Sequence, residues 1–274
     1  MKKKVLIIGK KSFVGNNLYN KLKNIFDTKI INYKSFFQIP DYKLSSIDII
    51  INCSISKNYV YKKYSVGNDR DFQICKKIEN FKCRMIFLSS RKVYLPGDNL
   101  RENSKLDPKY NYAKNKLETE KKLTLNLKKR VLILRISNLI GIDNSKSKKK
   151  KIHKTFGDIF FYYIKKNIIF DNNNDYKDFL SINKFCEIVK NLIRNNANGI
   201  YNVSIGKKIY LNDLIEWLNT FNKNKHKIRT KLKKITTDRF FLNNYKLMKK
   251  ININNGVDQL KNDCKNISKL YFST

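Results

Sequence analysis

Val5-Leu6-Ile7-Ile8-Gly9-Lys10-Lys11-Ser12-Phe13-Val14-Gly15 is the stretch that decides the fold. Val5 to Ile8 is apolar without interruption, the mark of a strand covered on both faces, as in a parallel sheet. Gly9 to Gly15 reads as a turn, and Val14 to about Phe26 as a helix. A glycine-bearing turn between a first strand and a first helix suits a phosphate. Glycines allow the tight turn and close backbone approach, and the helix N-terminus offers N–H groups to the anion. The alternative is an ordinary strand-to-helix turn that happens to hold glycines; position and spacing favour the cradle. Ser12 takes a slot where a third glycine is common, so its hydroxyl either donates to a phosphate or crowds the approach.

The same alternation continues outward. Strands are expected at Lys29 to Asn32, Asp48 to Asn52, Met85 to Ser89 and Val131 to Ile136. Helices are expected at Asp69 to Asn80 and, after a loop with Pro96, Gly97 and Pro108, at Tyr110 to Leu127. Apolar strands alternating with helices imply a doubly wound parallel sheet. Beyond Gly141 the character changes. Asp143 to Lys151 reads as a mobile lysine-dense loop, Thr155 to Lys166 as a helix and Asn172 to Asp175 as a turn. Phe185 to Ile193 reads as a helix, Gly199 to Val203 as a strand and Leu211 to Leu218 as a helix. The expected architecture is α/β: a Rossmann-type doubly wound parallel sheet with a smaller C-terminal α/β substrate lobe. Residues 1–142 would form the nucleotide-binding domain, with 171–198 returning to it, and 143–170 with 199–274 the substrate-binding lobe.

The 274 residues carry 59 Lys and Arg against 22 Asp and Glu, a formal net charge of +37. That resembles a nucleic-acid binder, but the lysines run from Lys2 to Lys269 with one dense block, Lys146 and Lys148 to Lys151. Lys outnumbers Arg, whereas bidentate recognition of phosphate and bases favours Arg. Compositional drift toward A- and T-rich codons is the favoured source of the charge, and no nucleic-acid partner is expected. Cys53, Cys75, Cys83, Cys186 and Cys264 are odd in number, no C-x-x-C occurs, and His153 and His226 stand alone, so no metal site is expected. Reduced thiols point to a cytoplasmic protein. Lys2 to Lys4 ahead of Val5 to Ile8 mimic the start of a signal peptide, but Gly9, Lys10 and Lys11 end the apolar run too early. No apolar stretch is long enough to span a bilayer.

The chemistry lies in Tyr112-Ala113-Lys114-Asn115-Lys116, read with Ser89-Ser90 at the end of the fourth strand. A Tyr and a Lys four positions apart share a helix face. A free phenol has a pKa of roughly 10, and a nearby cation brings it toward a working range. The spacing alone is weak in a chain so rich in both residues; its place after the fourth strand strengthens it. An acid about 20 residues beyond the glycine turn would bind the ribose 2′-hydroxyl of NAD. Here the second strand ends Ile31-Asn32-Tyr33-Lys34, and Lys10, Lys11 and Lys34 could meet a 2′-phosphate instead, which favours NADP(H) over NAD(H).

Together these segments resemble the extended short-chain dehydrogenase/reductase family, the nucleotide-sugar epimerases, dehydratases and reductases, over nearly the whole chain. Gly9-x-x-Ser12-x-x-Gly15 resembles the family's Gly-x-x-Gly-x-x-Gly, with Ser12 as the departure. Ile50-Ile51-Asn52-Cys53 looks like its fourth-strand segment, and Asn68 like the Asn that begins the next helix. Ser89-Ser90-Arg91-Lys92-Val93-Tyr94 is similar to Ser-Ser-x-x-Val-Tyr-Gly, with Leu95 in place of Gly. Arg135 to Gly141 is similar to its Leu-Arg-x-x-Asn-x-x-Gly strand end, and Lys177-Asp178-Phe179-Leu180 to Arg-Asp-Phe-Ile.

The resemblance implies that Ser90 hydrogen-bonds the reacting oxygen, Tyr112 exchanges its proton, and Lys116 binds the nicotinamide ribose and lowers the phenol's pKa. A capping hydroxyl, an amphipathic aromatic and a solvated lysine are their ordinary alternatives. It further implies cofactor contacts from Gly9, Lys11, Ser12, Phe13, Val14, Gly15, Lys34, Cys53 and Asn68. Arg91, Asn138, Lys177 and Arg239 are the substrate-binding candidates. Family dehydratases carry Asp-Glu where Arg91 and Lys92 stand, so dehydration is disfavoured. The short segment from Asn32 to Asp48 and the NADP preference suggest a reductase of a nucleotide-linked 4-keto sugar. An NAD-dependent 4-epimerase is the alternative, and a non-catalytic RNA- or partner-binding protein of the same fold a second. A homodimer through helices of the nucleotide-binding domain is compatible with either enzyme.

Overall fold

Continuous apolar runs become continuous burial in the six-stranded parallel sheet at the centre of the molecule. In the computed structural model, residues 2–141, 160–163, 166, 168–171, 175–223, 229–232, 238–252 and 256–272 are described. The first strands are β1 (Lys4–Ile8), β2 (Asp27–Ile31), β3 (Ile49–Asn52), β4 (Arg84–Ser90) and β5 (Val131–Ile136). Strands β3 and β5 are buried at every position. Edge strand β2 alternates with Asp27 and Lys29 exposed, which suits a strand paired on one side only. Because side chains alternate across a strand, Ile7, Ile51, Ile86 and Leu134 enter one apolar cluster, and Ile8, Ile50, Phe87 and Ile133 another.

Helix α1 (Phe13–Leu22) covers the first face through Leu18 and Leu22. It ends before Phe26, which is itself buried in that cluster. The other face is covered by the short helices α2 (Tyr33–Phe37) and α3 (Asp41–Leu44), then by α5 (Arg70–Ile78) and α6 (Asn111–Leu127). Helix α4 (Lys57–Tyr61) packs against α6. Periodicity did not reveal α2, α3 or α4, which are too short to complete an amphipathic pattern.

Beyond β5 the chain forms small pairs: β6 (Asn138–Ile140) with β9 (Phe179–Ser181), β7 (Ile168–Asp171) with β12 (Arg229–Leu232), and β8 (Tyr176–Lys177) with β11 (Ile209–Tyr210). The helix Ile182–Arg194 then returns to the sheet and leads into β10 (Gly199–Val203), which pairs with β5 along its whole length. The sheet order is β10-β5-β4-β3-β1-β2. This corrects the boundary drawn at residue 199: β10 belongs to the sheet, because a parallel neighbour on β5 is where its backbone hydrogen bonds are made. Nor, among the described residues, does the second lobe have a core of its own. Leu211, Leu214, Trp217, Leu260 and Ile267 belong to the cluster that holds Ile7 and Leu134.

The expected loop at Asp143 to Lys151 lies outside the described residues, as do His153 and His226. So does most of the expected helix at Thr155 to Lys166, of which 160–163 are helical, and of the turn at Asn172 to Asp175. Among the described residues no helix is long and apolar enough to cross a membrane. None of their groups of His, Cys, Asp and Glu could hold a metal ion.

Candidate active site

Strands β2 and β3 lie on opposite sides of β1, so the C-terminal ends of β1 and β3 part to form the crevice in which ligands bind in open α/β sheets. Gly9 closes β1 with φ +133°, and a Cβ there would stand 3.0 Å from the Cys53 carbonyl carbon. A Cβ on Gly15 would stand 2.7 Å from the Gly9 oxygen. Both positions require glycine, one for conformation and one for contact. Ser12 has a structural role as well. Its hydroxyl caps α1 by accepting the Gly15 N–H at 3.3 Å.

A cavity of about 430 Å³ opens over this turn, lined by Gly9, Lys10, Lys11, Ser12, Phe13, Asn32, Tyr33, Cys53, Ser54, Ile55 and Arg70. Gly9, Lys11, Ser12, Phe13 and Cys53 are thus brought together around one cavity, with Gly15 directly beneath. Three expected residues do not join them. Val14, in the first turn of α1, packs half-buried against the core, and Lys34 is exposed on α2, outside the cavity lining. Asn68 bonds Ser65, and Asp69, not Asn68, caps α5 by accepting the Phe72 N–H. Arg70 was missed; its guanidinium lies 4.6 Å from the Tyr33 ring centroid. Only the sheet order, which sets the start of α5 beside the end of β2, could have found it.

The catalytic candidates lie at the end of β4 and in the first turns of α6. Alternation sends Ser89 inward, where its hydroxyl donates to Glu120 at 2.5 Å, and leaves Ser90 facing the other way. Ser90 Oγ accepts the Lys92 N–H at 3.2 Å, which leaves its own proton to donate. Lys116 is buried, and its Nζ donates to the Leu88 carbonyl at 2.8 Å. That nitrogen lies 4.5 Å from the Phe87 ring centroid, 5.9 Å from the Tyr112 ring centroid and 4.0 Å from Asp71 Oδ2. Tyr112 itself is half-buried at the start of α6. Burial pushes the Asp71 carboxyl up to about 7, against the opposing charge of Lys116. Burial likewise pushes the Cys53 thiol well above its usual range.

The substrate-binding candidates meet acids of the protein itself. Arg91 is buried over the Phe240 ring, 3.8 Å from its centroid, and grips both carboxylate oxygens of Asp238. Lys177 Nζ reaches the same carboxylate at 3.3 Å and the Asp238 backbone oxygen at 3.0 Å. Arg239 lies 3.6 Å from Asp175. Asn138 is half-buried on β6, with its backbone N–H bonded to the Asp178 carbonyl. Arg91 and Lys177 are therefore brought together as charges, but on Asp238, which gave no signal in the sequence. For Asp238, burial is outweighed by the hydrogen bonds and charges of Arg91 and Lys177, which hold its carboxyl below the usual range.

No protein-family model matches the chain, and no curated protein matches it. Solved structures do. UDP-N-acetylglucosamine 4-epimerase from Methanobrevibacter ruminantium M1, in complex with UDP-N-acetylmuramic acid, is 19% identical with a TM-score of 0.77, covering 100% of this chain and 99% of that one. RMD from Pseudomonas aeruginosa, complexed with NADPH, is 16% identical with a TM-score of 0.77, covering 100% and 98%. A dTDP-glucose 4,6-dehydratase from Bacillus anthracis, in complex with NAD, is 15% identical with a TM-score of 0.75, covering 99% and 97%. The likeness is one of fold, and it runs the length of the molecule.

Proposed function

We propose that this chain is an NADPH-dependent reductase of a nucleotide-linked 4-keto sugar, an oxidoreductase of the extended short-chain type. The observation that carries the reading is Lys116: an ammonium buried at the end of β4, on the helix face that also bears Tyr112. Burying an ammonium is costly, and the fold alone does not demand one there. A phenol that gives up a proton near neutral pH does benefit from a cation beside it.

The residues present fit a dinucleotide. A side chain at Gly9 or Gly15 would collide with the protein's own backbone at the turn over which the crevice opens. Among the described residues no carboxylate lines the cavity, while Lys10, Lys11 and Arg70 do, which favours a 2′-phosphate over a bare ribose. When bound, the nicotinamide supplies the hydride. Ser90 donates its hydroxyl hydrogen to the sugar's carbonyl oxygen and orients it. Tyr112 delivers its proton to that oxygen as the carbonyl becomes an alcohol. Lys116 stabilises the phenolate left behind. The Methanobrevibacter epimerase and the Bacillus dehydratase act on sugar nucleotides, and the Pseudomonas protein holds NADPH, all consistent with this reading. A homodimer through α5 and α6 belongs to the same reading; Leu125, 77% exposed on α6, is an apolar side chain such a contact could cover.

The test adds NADH and NADPH separately to the purified protein with a panel of 4-keto nucleotide sugars. Loss of nicotinamide absorbance with NADPH and one sugar is the expected result. An epimerase would instead retain NAD through purification, which mass analysis of the released nucleotide detects. RNA binding with a steep salt dependence, and no change in nicotinamide fluorescence, would overturn the enzyme reading.

A further inference from the structure

Asp71 is the second residue of α5, where a carboxylate usually faces solvent and complements the helix dipole. Here it does neither in the ordinary way. The capping position belongs to Asp69, and Asp71 is turned inward, its side chain only 7% exposed. Asn52, the last residue of β3, donates its amide to Asp71 Oδ1 at 2.9 Å and fixes the carboxylate. The second oxygen, Oδ2, is left facing Lys116 Nζ at 4.0 Å across a space equally cut off from solvent. That separation is too long for a hydrogen bond and short enough for a strong electrostatic interaction at such burial.

Resting on the function proposed above, we infer that Asp71 is a positioning residue for Lys116, a buried counter-charge that holds the ammonium at the cleft floor and sets the field it exerts on the Tyr112 phenol. With the carboxylate ionised, part of the ammonium's field is cancelled before it reaches Tyr112. With it protonated, Lys116 acts on the phenol unopposed. Because burial brings the carboxyl to about 7, the switch between these states falls in the working range. The groups facing Asp71 are Lys116 from α6, Asn52 and Cys53 at the end of β3, and Asp69 and Arg70 on its own helix. Tyr59 of α4 and Tyr33 of α2 also feel its charge. Among these, Lys116 is the side chain through which it reaches the phenol.

Asp71→Asn keeps the shape and the bond from Asn52 while removing the charge. The expected result is a pH profile of kcat/KM in which the limb near neutrality moves by about one unit or disappears, a shift of the size a nearby charge produces. Affinity for NADPH should stay within about threefold, well inside the tenfold that one pKa unit represents. Superimposable profiles overturn the inference while leaving the proposed function standing. A carbon NMR titration of labelled aspartate in the ligand-free wild-type chain gives a second reading. Two buried carboxyls, Asp71 and Asp178, should titrate near neutrality, and one of them should move upward in Lys116→Met; a profile in which neither moves overturns the pairing, even if Asp71→Asn fails to fold. Should the wild type bind no nicotinamide nucleotide at all, the proposed function fails, and the titration alone still decides whether Asp71 and Lys116 are coupled.

Discussion

Two buried ion pairs lie one turn apart on α6, and they are built in opposite ways. Glu120 is saturated: it accepts Nε and Nη2 of Arg135, the latter at 2.7 Å, together with the Ser89 hydroxyl. Arg135 spends its remaining donors on the Tyr94 hydroxyl and the Glu102 carbonyl, each at 2.9 Å, and Tyr94 passes the chain on to Asn202 of β10. Lys116 and Asp71 are equally hidden but stand 4.0 Å apart with no direct bond. A closed pair ties elements together. An open one keeps capacity in reserve, and it is the open one that sits beneath Tyr112.

The largest expected effect comes from breaking the closed pair. Glu120→Ala leaves a buried guanidinium without its counter-charge and should cost about 3–5 kcal/mol in urea unfolding. If Asp71→Asn cost as much, the distinction between the two pairs would collapse. Next comes Tyr112→Phe, expected to reduce turnover by about 10²–10⁴-fold, the worth of a positioned proton donor, with NADPH affinity unchanged. Unaltered turnover would remove the open pair from the chemistry altogether.

A smaller effect sharpens the contrast through pH. The Asp71 carboxyl is raised to about 7 in the folded chain, against roughly 3.9 in an unfolded one. The folded state therefore holds the extra proton between those values. The stability that proton confers is full below about 4 and is lost as pH rises through 7. Thermal unfolding followed across that window should show a shallower decline in Asp71→Asn than in the wild type, the remainder coming from Asp178, whose carboxyl burial also raises to about 7. Asp238 runs the other way, since its carboxyl is held below the usual range. Its contribution is present at neutrality and lost as pH falls through its folded value. With its side chain 43% exposed, Asp238→Asn should cost only about 1 kcal/mol in the same assay. A loss equal to that of Glu120→Ala would place the Arg91 cluster among the closed pairs.

What was legible in the sequence follows from the same physics. Strands buried on both faces have no polar alternation, so β1, β3 and β5 announced themselves. Gly9 and Gly15 were legible because no other residue tolerates that turn, and Tyr112 with Lys116 because helix spacing is local. The resemblance to a known family put these pieces in order. Arg70, Asp71 and Asp238 were not legible. Each matters through a partner far away in the chain, and in so charged a sequence a buried carboxylate or guanidinium looks like one more solvated side chain. The placement of β10 was hidden for a related reason. A short strand carries no sign of which neighbour it will pair with.

The shared core has a mechanical meaning. Side chains from β1, from the helix Ile182–Arg194 and from the helices Leu211–Leu218 and Val257–Phe272 form one continuous apolar body. Lobes joined by a thin linker can rotate about a hinge, whereas parts that share one large hydrophobic interface are held against it. Admission of a ligand must then fall to surface segments rather than to rigid lobes swinging apart. The same continuity makes the chain a single cooperative unit, expected to melt in one calorimetric transition and not two.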